Sequence, residues 1–153
     1  MTQEDKEPID NILYAAACGI KNTVVMTQEE KQLLLMDLCA RLPHHTMVLM
    51  GDGGVELLVS VNVDTGICNG LKDLPKPYLR PMSSMTEEEK KVVCSMNMIS
   101  DTELNDRLNH QRMYLQNYTI ETFDYFNEHH LDYRGLIPMG LALEATEDIY
   151  PQK

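Results

Sequence analysis

One stretch of sequence decides how the chain folds, and it covers residues 77–90, PYLRPMSSMTEEEK. Prolines at positions 75, 77 and 81 disfavour helix at the residues that precede them, so residues 75–85 are predicted to form an extended strap. Thr86 and Glu89 have the spacing of a capping box, which satisfies the first N–H groups of a helix. The stretch therefore predicts a strap that leads directly into a helix beginning after Thr86.

Three more capping residues predict helices on both sides of this stretch. Thr27 and Glu30 form a second capping box, ahead of a helix that Pro43 ends. Ser100 is predicted to cap a long helix, and Thr119 to cap the next one. The apolar positions of these helices have helical spacing: Leu35, Leu38, Cys39 and Leu42 in the first; Leu104, Leu108 and Leu115 in the second; Ile120, Phe123 and Phe126 in the third.

Residues 46–70 have the pattern of three short strands joined by tight turns, Gly51–Gly54 and Asp64–Gly66. Such turns exclude a parallel crossover. One face of the middle strand is predicted to be buried, because apolar and polar residues alternate along it. Its predicted inward residues are Val55, Leu57, Val59 and Val61, and its predicted outward residues are Glu56 and Ser60.

The predicted fold class is α+β, with a small three-stranded antiparallel sheet, an N-terminal helix against it and a helical C-terminal half. Residues 1–74 are predicted to hold the first helix and the meander, residues 75–85 the strap, and residues 86–153 the helical region. These parts are expected to form one compact unit. A short helix is also predicted over residues 10–19, and the tail from Glu144 onwards is predicted to be loose.

Composition excludes several classes of function. The formal net charge of −11 repels phosphate backbones, so binding to nucleic acid or to an anionic membrane is not expected. The N-terminal residues are acidic and lack the apolar run of a secretory signal. The four cysteines show no Cys-x-x-Cys spacing, which is typical of reduced thiols in a cytoplasm and not of a zinc site. No motif calls for a cofactor.

Four segments together resemble an uncharacterised family of small proteins of gut bacteria and their phages or other mobile elements. They are residues 37–43, DLCARLP; residues 77–90; residues 123–137, FDYFNEHHLDYRGLI; and residues 140–145, GLALEA. The resemblance implies an accessory protein of a phage or mobile element in the cytoplasm of its bacterial host.

The strongest candidates for chemistry lie in the third of these segments. His129, His130 and Asp132 are residue types that bind metals or move protons. Adjacent helical residues point about 100° apart, however, and metal pairs on helices prefer a spacing of four. His130 would share a helix face with Phe126 and would be the more buried histidine, so a structural role is favoured over catalysis.

Three further residues extend this candidate site. Arg134 has the planar fork that clamps a carboxylate or phosphate, although such an arginine more often pairs with a nearby acid such as Asp132 or Glu144. His44 and His45 follow Pro43 in a turn and would complete a metal cluster only if the fold brought them to His129 and His130. An exposed polar turn is the favoured interpretation of that pair.

Two functions remain open after these considerations. The preferred one is a non-enzymatic accessory protein that acts through protein–protein contact, with an unidentified partner and with a homo-oligomer left open. The alternative is a metal-dependent hydrolase or nuclease that uses His129, His130 and Asp132. The hydrolase requires these side chains to converge in a concave pocket, whereas the accessory protein does not.

Overall fold

The computed structural model describes residues 25–65, 67–68, 74–110 and 115–150, so the helix predicted over residues 10–19 lies outside the described residues. The α-helices in these ranges are α1 (Gln28–Arg41), α2 (Glu87–Asn97), α3 (Asp101–Asn109) and α4 (Ile120–Glu128). The strands are β1 (Met47–Leu49), β2 (Val55–Leu57), β3 (Val61–Asn62), β4 (Ile67–Cys68), β5 (Lys76–Leu79) and β6 (Leu143–Glu144). None of the described helices is long and apolar enough to cross a membrane.

The predicted helix starts are confirmed. The Thr27 hydroxyl accepts from the Glu30 N–H at 3.2 Å, and the Glu30 carboxylate accepts from the Thr27 N–H at 2.8 Å. Thr86 and Glu89 form the same reciprocal pair ahead of α2, while Ser100 and Thr119 cap α3 and α4. Helix α3 is shorter than predicted, because it ends at Asn109 and Leu115 lies in a separate 3₁₀ turn.

The α+β class is confirmed, but the predicted three-stranded antiparallel sheet is wrong. The sheet has four strands in the order β2–β1–β5–β6, in which β1 is antiparallel to β2 and β5, while β5 and β6 are parallel. The third strand of the predicted meander instead pairs with residues 61–62 in a separate β3–β4 ribbon. Two strands distant in sequence, β5 and β6, take its place in the main sheet.

The first part of the predicted strap is extended and forms strand β5, whereas residues Met82–Ser84 form a 3₁₀ turn. Residues Lys76 and Pro77 of β5 pair with β1, and residues Tyr78 and Leu79 pair with β6. Strand β5 therefore lies between β1 and β6 in the sheet.

The predicted inward face of the middle strand is also wrong. Strand β2 ends at Leu57, and Leu58, on the opposite parity, is the buried residue at 2% exposure. Its N–H donates to the Thr46 carbonyl at 2.8 Å, in register with the pairing of β1 and β2. Strand β2 lies at the edge of the sheet, and its residues Val55 and Leu57 are exposed. Val59 is exposed as well, and Val61 is only half-buried.

The C-terminal tail is packed over its described residues, 143–150, in contrast to the prediction of a loose end from Glu144 onwards. Strand β6 pairs with β5, and the Ala145 N–H donates to the Leu79 carbonyl at 2.7 Å. The Tyr150 hydroxyl donates to the Tyr78 carbonyl and accepts from the Met47 N–H, both at 2.9 Å. One tyrosine thus ties the tail to β1 and β5, and burial raises its pKa to about 12.

Buried apolar side chains form two clusters. The first consists of Leu34, Leu38, Val48, Met50, Leu58, Leu79, Leu136, Leu141 and Ala142. The second consists of Met82, Met85, Val93, Cys94, Leu104, Tyr118, Phe126, Leu131 and Tyr133. Leu79 and Met82 belong to different clusters although they are near in sequence, and so do Tyr133 and Leu136. The strap and the segment 131–136 therefore connect the two clusters.

Candidate functional site

The segment 129–137 follows helix α4, which ends at Glu128, so neither histidine of the predicted site lies on a helix face. His130 has a left-handed backbone with φ 56°, which turns the chain towards the strap. The His130 carbonyl accepts from the Arg80 N–H at 2.7 Å, and the Asp132 N–H donates to the Arg80 carbonyl at 2.8 Å. The segment therefore runs beside the strap and pairs with it at Leu131.

The two histidines make separate contacts. His129 donates from Nδ1 to the Tyr125 carbonyl at 2.9 Å, and its ring stacks on the Tyr125 ring with centroids 3.9 Å apart. His130 stacks on Tyr150 with centroids 3.7 Å apart, whereas the sequence predicted that it would share a helix face with Phe126. Both histidines are half-buried, and that His130 is the more buried of the two stays a prediction. Their rings lie against different aromatic partners.

Burial lowers the pKa of His130 to about 4, with smaller contributions from Arg41, His129 and His44. Its Nδ1 is buried and has no hydrogen-bond partner. A protonated ring would therefore place a poorly solvated charge near other cations. The folded protein holds His130 neutral.

The carboxylate of Asp132 organises the turn that follows. It accepts from the Leu136 N–H at 2.8 Å and from the Ile137 N–H at 2.9 Å. Burial raises the pKa of Asp132, and these two backbone hydrogen bonds oppose the rise. Both carboxylate oxygens thus stabilise the backbone before Pro138.

A buried ion pair that the sequence did not predict lies beside this segment. Arg41 donates from Nε to Asp37 at 2.7 Å, and both side chains are 0% exposed. Its Nη2 donates to the Leu131 carbonyl at 2.8 Å. The buried residues of α1 are Leu34, Asp37, Leu38 and Arg41. Of the predicted stripe of Leu35, Leu38, Cys39 and Leu42, only Leu38 is fully buried, so the buried face is rotated from the predicted one. The sequence signal for this pair was the spacing of four between Asp37 and Arg41, among the leucines of the helix.

Arg134 joins the same network. Its Nε lies 3.3 Å from the second carboxylate oxygen of Asp37, at ion-pair distance but without an aligned hydrogen bond. The guanidinium groups of Arg41 and Arg134 lie 5.4 and 5.0 Å from the centroid of the Tyr133 ring. An acidic partner for Arg134 was predicted, but the partner is Asp37 and not Asp132 or Glu144.

The remaining histidines do not complete a metal site. His44 is half-buried and close enough to lower the pKa of His130, whereas His45 is exposed at the end of a 3₁₀ turn. No group of three or more His, Cys, Asp or Glu side chains among the described residues could hold a metal ion. The arrangement around residues 129–134 is therefore suited to joining the strap, α1 and the C-terminal tail.

The neutral state of His130 predicts a pH dependence of stability. Its pKa is near 4 in the folded protein and near 6.5 in the unfolded chain, so the unfolded chain binds the proton more readily between these values. The contribution of neutral His130 to the free energy of unfolding is present above pH 6.5 and is lost as the pH falls towards 4. We expect a loss of about 1–2 kcal/mol from this group, allowing for its partial exposure.

The measurement is urea denaturation of the wild type, His130→Asn and His45→Asn across that pH range. Both histidines have left-handed backbones, which asparagine tolerates, so His45→Asn is the matched control. His130→Asn should have a flatter pH dependence than the other two proteins. Equal slopes in all three would contradict the assignment of a depressed pKa to His130.

Comparisons of the chain with protein-family models, with curated proteins and with solved structures gave no match.

Proposed function

We propose that the protein is a non-enzymatic accessory protein that acts through contact with another protein. The observation that carries the proposal is an exposed apolar segment, residues 55–63. Its exposed side chains are Val55 at 44%, Leu57 at 38%, Val59 at 65% and Val63 at 64%. Single exposed apolar residues are normal on a surface, but several within one short segment are typical of an interaction site.

Charge around the exposed apolar segment indicates the kind of partner. Residues 51–65 contain Asp52, Glu56 and Asp64 and no lysine or arginine. All three acidic residues are exposed. A second copy of the chain docked through the same segment would bring like charges together, which disfavours a symmetric homodimer there. The partner that fits is a protein with apolar side chains flanked by lysine or arginine.

The resemblance to proteins of phages and mobile elements supports a place for this contact in the cytoplasm of a bacterial host. The metal-dependent hydrolase is the weaker alternative, because no group of three or more His, Cys, Asp or Glu side chains in the described part of the chain could hold a metal ion. Asp132 accepts two backbone N–H groups, and the two histidine rings stack on different tyrosines. No observation favours the hydrolase, so we do not propose it.

Val59→Asp is expected to abolish partner capture and leave the fold intact. The side chain is already largely in water, so the free energy of unfolding should change by only about 0.5 kcal/mol. A carboxylate in the centre of an apolar contact should weaken partner binding by about tenfold or more. The measurement is affinity capture from host cells with quantitative mass spectrometry, alongside urea denaturation.

Ile120→Asp is the matched control, because Ile120 is 77% exposed and begins helix α4, where an acidic residue is favourable. A protein captured by the wild type and by Ile120→Asp, but lost with Val59→Asp, supports the proposal. Equal capture by all three proteins would remove the exposed apolar segment as the contact surface. Dimerisation of the wild type that Val59→Asp abolishes would identify a second copy as the partner instead.

A further inference from the structure

The surface beside Arg134 contains a cavity of about 490 Å³. Helix α4 contributes Phe123, Asp124 and Asn127 to its wall, and α1 contributes Ala40. The other lining residues are Leu115, Gln116, Tyr133 and Arg134. The volume is in the range of small-molecule sites, and the lining combines aromatic rings with a few polar groups, as such sites do.

Arg134 differs from the other arginines of the described residues in how its terminal nitrogens are used. Arg80 binds Glu89 through both terminal nitrogens, and Arg107 donates to Glu103 and to the Asn117 carbonyl. Arg134 contacts Asp37 only through Nε, and no hydrogen bond joins its terminal nitrogens to another described residue. Its position over the Tyr133 ring holds the guanidinium in place at the cavity.

Asn127 also lines the cavity, and it is 4% exposed. Its Oδ1 is buried without a hydrogen bond and, as an acceptor, cannot pair with an anion. The amide nitrogen of Asn127 is the atom of this side chain that can donate to a bound ligand. The cavity thus combines an arginine fork without a hydrogen-bonded partner, an amide group and two aromatic rings.

We infer that this cavity binds a small carboxylate with an aromatic or apolar body. The carboxylate pairs with the two terminal nitrogens of Arg134, because the planar guanidinium matches a planar carboxylate in a bidentate arrangement. The body of the ligand packs against Phe123 and Tyr133. Asp37 lies behind Arg134 and Asp124 lines the cavity, so a single negative charge is favoured over the double charge of a phosphate.

The inference is tested with phenylacetate as the probe. A ¹⁵N-labelled wild-type protein is titrated while the side-chain amide signals of Gln116 and Asn127 are followed by NMR. We expect saturable shifts of both signals with a dissociation constant of about 1 mM or tighter, the range open to a ligand of this size. The Asn97 amide, which donates to Val93 and Thr122, should not shift.

Two matched compounds identify the chemistry on the wild-type protein. 2-Phenylethanol has a similar shape without the charge, and phenyl phosphate carries a second charge. The dissociation constant of phenylacetate should be lower than that of either compound by about tenfold or more. If 2-phenylethanol bound as tightly as phenylacetate, the role of Arg134 would be overturned. Tighter binding of phenyl phosphate would overturn the preference for a carboxylate. The absence of saturable shifts with phenylacetate would overturn the site itself.

Three variants assign the interaction to the cavity. Arg134→Lys keeps a positive charge near Asp37 but loses the fork, and should weaken phenylacetate binding about tenfold. Arg107→Lys alters an arginine that also lies over a tyrosine ring, outside the cavity, and should bind as the wild type does. Ala40→Met introduces a larger side chain into the cavity from α1 and should also weaken binding. Unchanged affinity in both Arg134→Lys and Ala40→Met would overturn the inference.

Discussion

Replacing Arg41 with methionine is expected to lower the free energy of unfolding by about 3–5 kcal/mol. Arg41 and Asp37 are both 0% exposed and are joined by a hydrogen bond of 2.7 Å. Without Arg41, the buried Asp37 carboxylate keeps only the longer contact of 3.3 Å to Arg134, and the Leu131 carbonyl loses its donor. The measurement is urea denaturation at neutral pH, followed by circular dichroism.

Two controls separate the buried charge from the loss of side-chain volume. The double variant Asp37→Leu with Arg41→Met removes both charges and should recover most of the lost stability, because an apolar pair can replace a buried ion pair. Arg107→Met removes an arginine whose acidic partner Glu103 is half exposed, and should cost less. A loss below about 1 kcal/mol in Arg41→Met would contradict the central place of this pair in the fold.

Phe126→Ala is expected to destabilise the protein by a similar amount, about 3–5 kcal/mol. Phe126 is fully buried in the second cluster, where its ring meets Tyr118 edge-on at 5.3 Å and stacks on Tyr133 at 5.7 Å between centroids. Removing the ring leaves a cavity beside Tyr133, whose ring also contacts the guanidinium groups of Arg41 and Arg134. Thermal and urea denaturation measure the effect.

Phe123→Ala is the matched control for that change. Phe123 lies on the same helix but is only half-buried, so its loss should cost clearly less than the loss of Phe126. Phe126→Leu, which keeps much of the apolar volume, should be intermediate. An effect of Phe126→Ala no larger than that of Phe123→Ala would contradict the assignment of Phe126 to the centre of the second cluster.

Helix starts were predictable from the sequence because a helix cap depends on residues only a few positions apart. A threonine and a glutamate three residues apart decide the caps of α1 and α2, and the structure forms both. Strand pairing was not predictable in the same way. Strand β1 takes β5 as its second neighbour, and β6 joins β5 from the end of the chain, so the contacts depend on segments that no short pattern connects.

The alternation of residues 55–63 failed for a different reason. Period-2 patterning shows which residues share a face of a strand, but it does not show which face packs against the core. Strand β2 lies at the edge of the sheet, where Val55 and Leu57 are exposed. Leu58, of opposite parity, is the buried residue. The apolar side chains that the pattern assigned to the core consequently form the exposed apolar segment.

The contacts of the segment 129–134 were only partly predictable from the sequence. An acidic partner for Arg134 was expected, yet Asp37 is brought to it by packing of α1 against residues 131–136. The adjacent histidines appeared to belong to a helix because nothing in the sequence signals the left-handed backbone at His130. The buried Asp37–Arg41 pair resembles an ordinary surface pair at a spacing of four until its burial is known.

Two regions of the molecule differ in their contacts. Residues 129–134 join the strap through backbone hydrogen bonds with Arg80, α1 through the Arg41–Leu131 hydrogen bond, and the C-terminal tail through the stacking of His130 on Tyr150. The exposed apolar segment 55–63 is the proposed contact surface, at a distance in sequence from that network.

Site-specific photocrosslinking tests the proposed contact most directly. A benzophenone amino acid is placed at Val59 in one protein and at Ile120 in another, since both positions are exposed and apolar. After irradiation in host cells, we predict one discrete crosslinked protein from position 59 that is absent from position 120. The absence of a crosslink at position 59, or the same products from both positions, would contradict the claim that the protein acts through the exposed apolar segment.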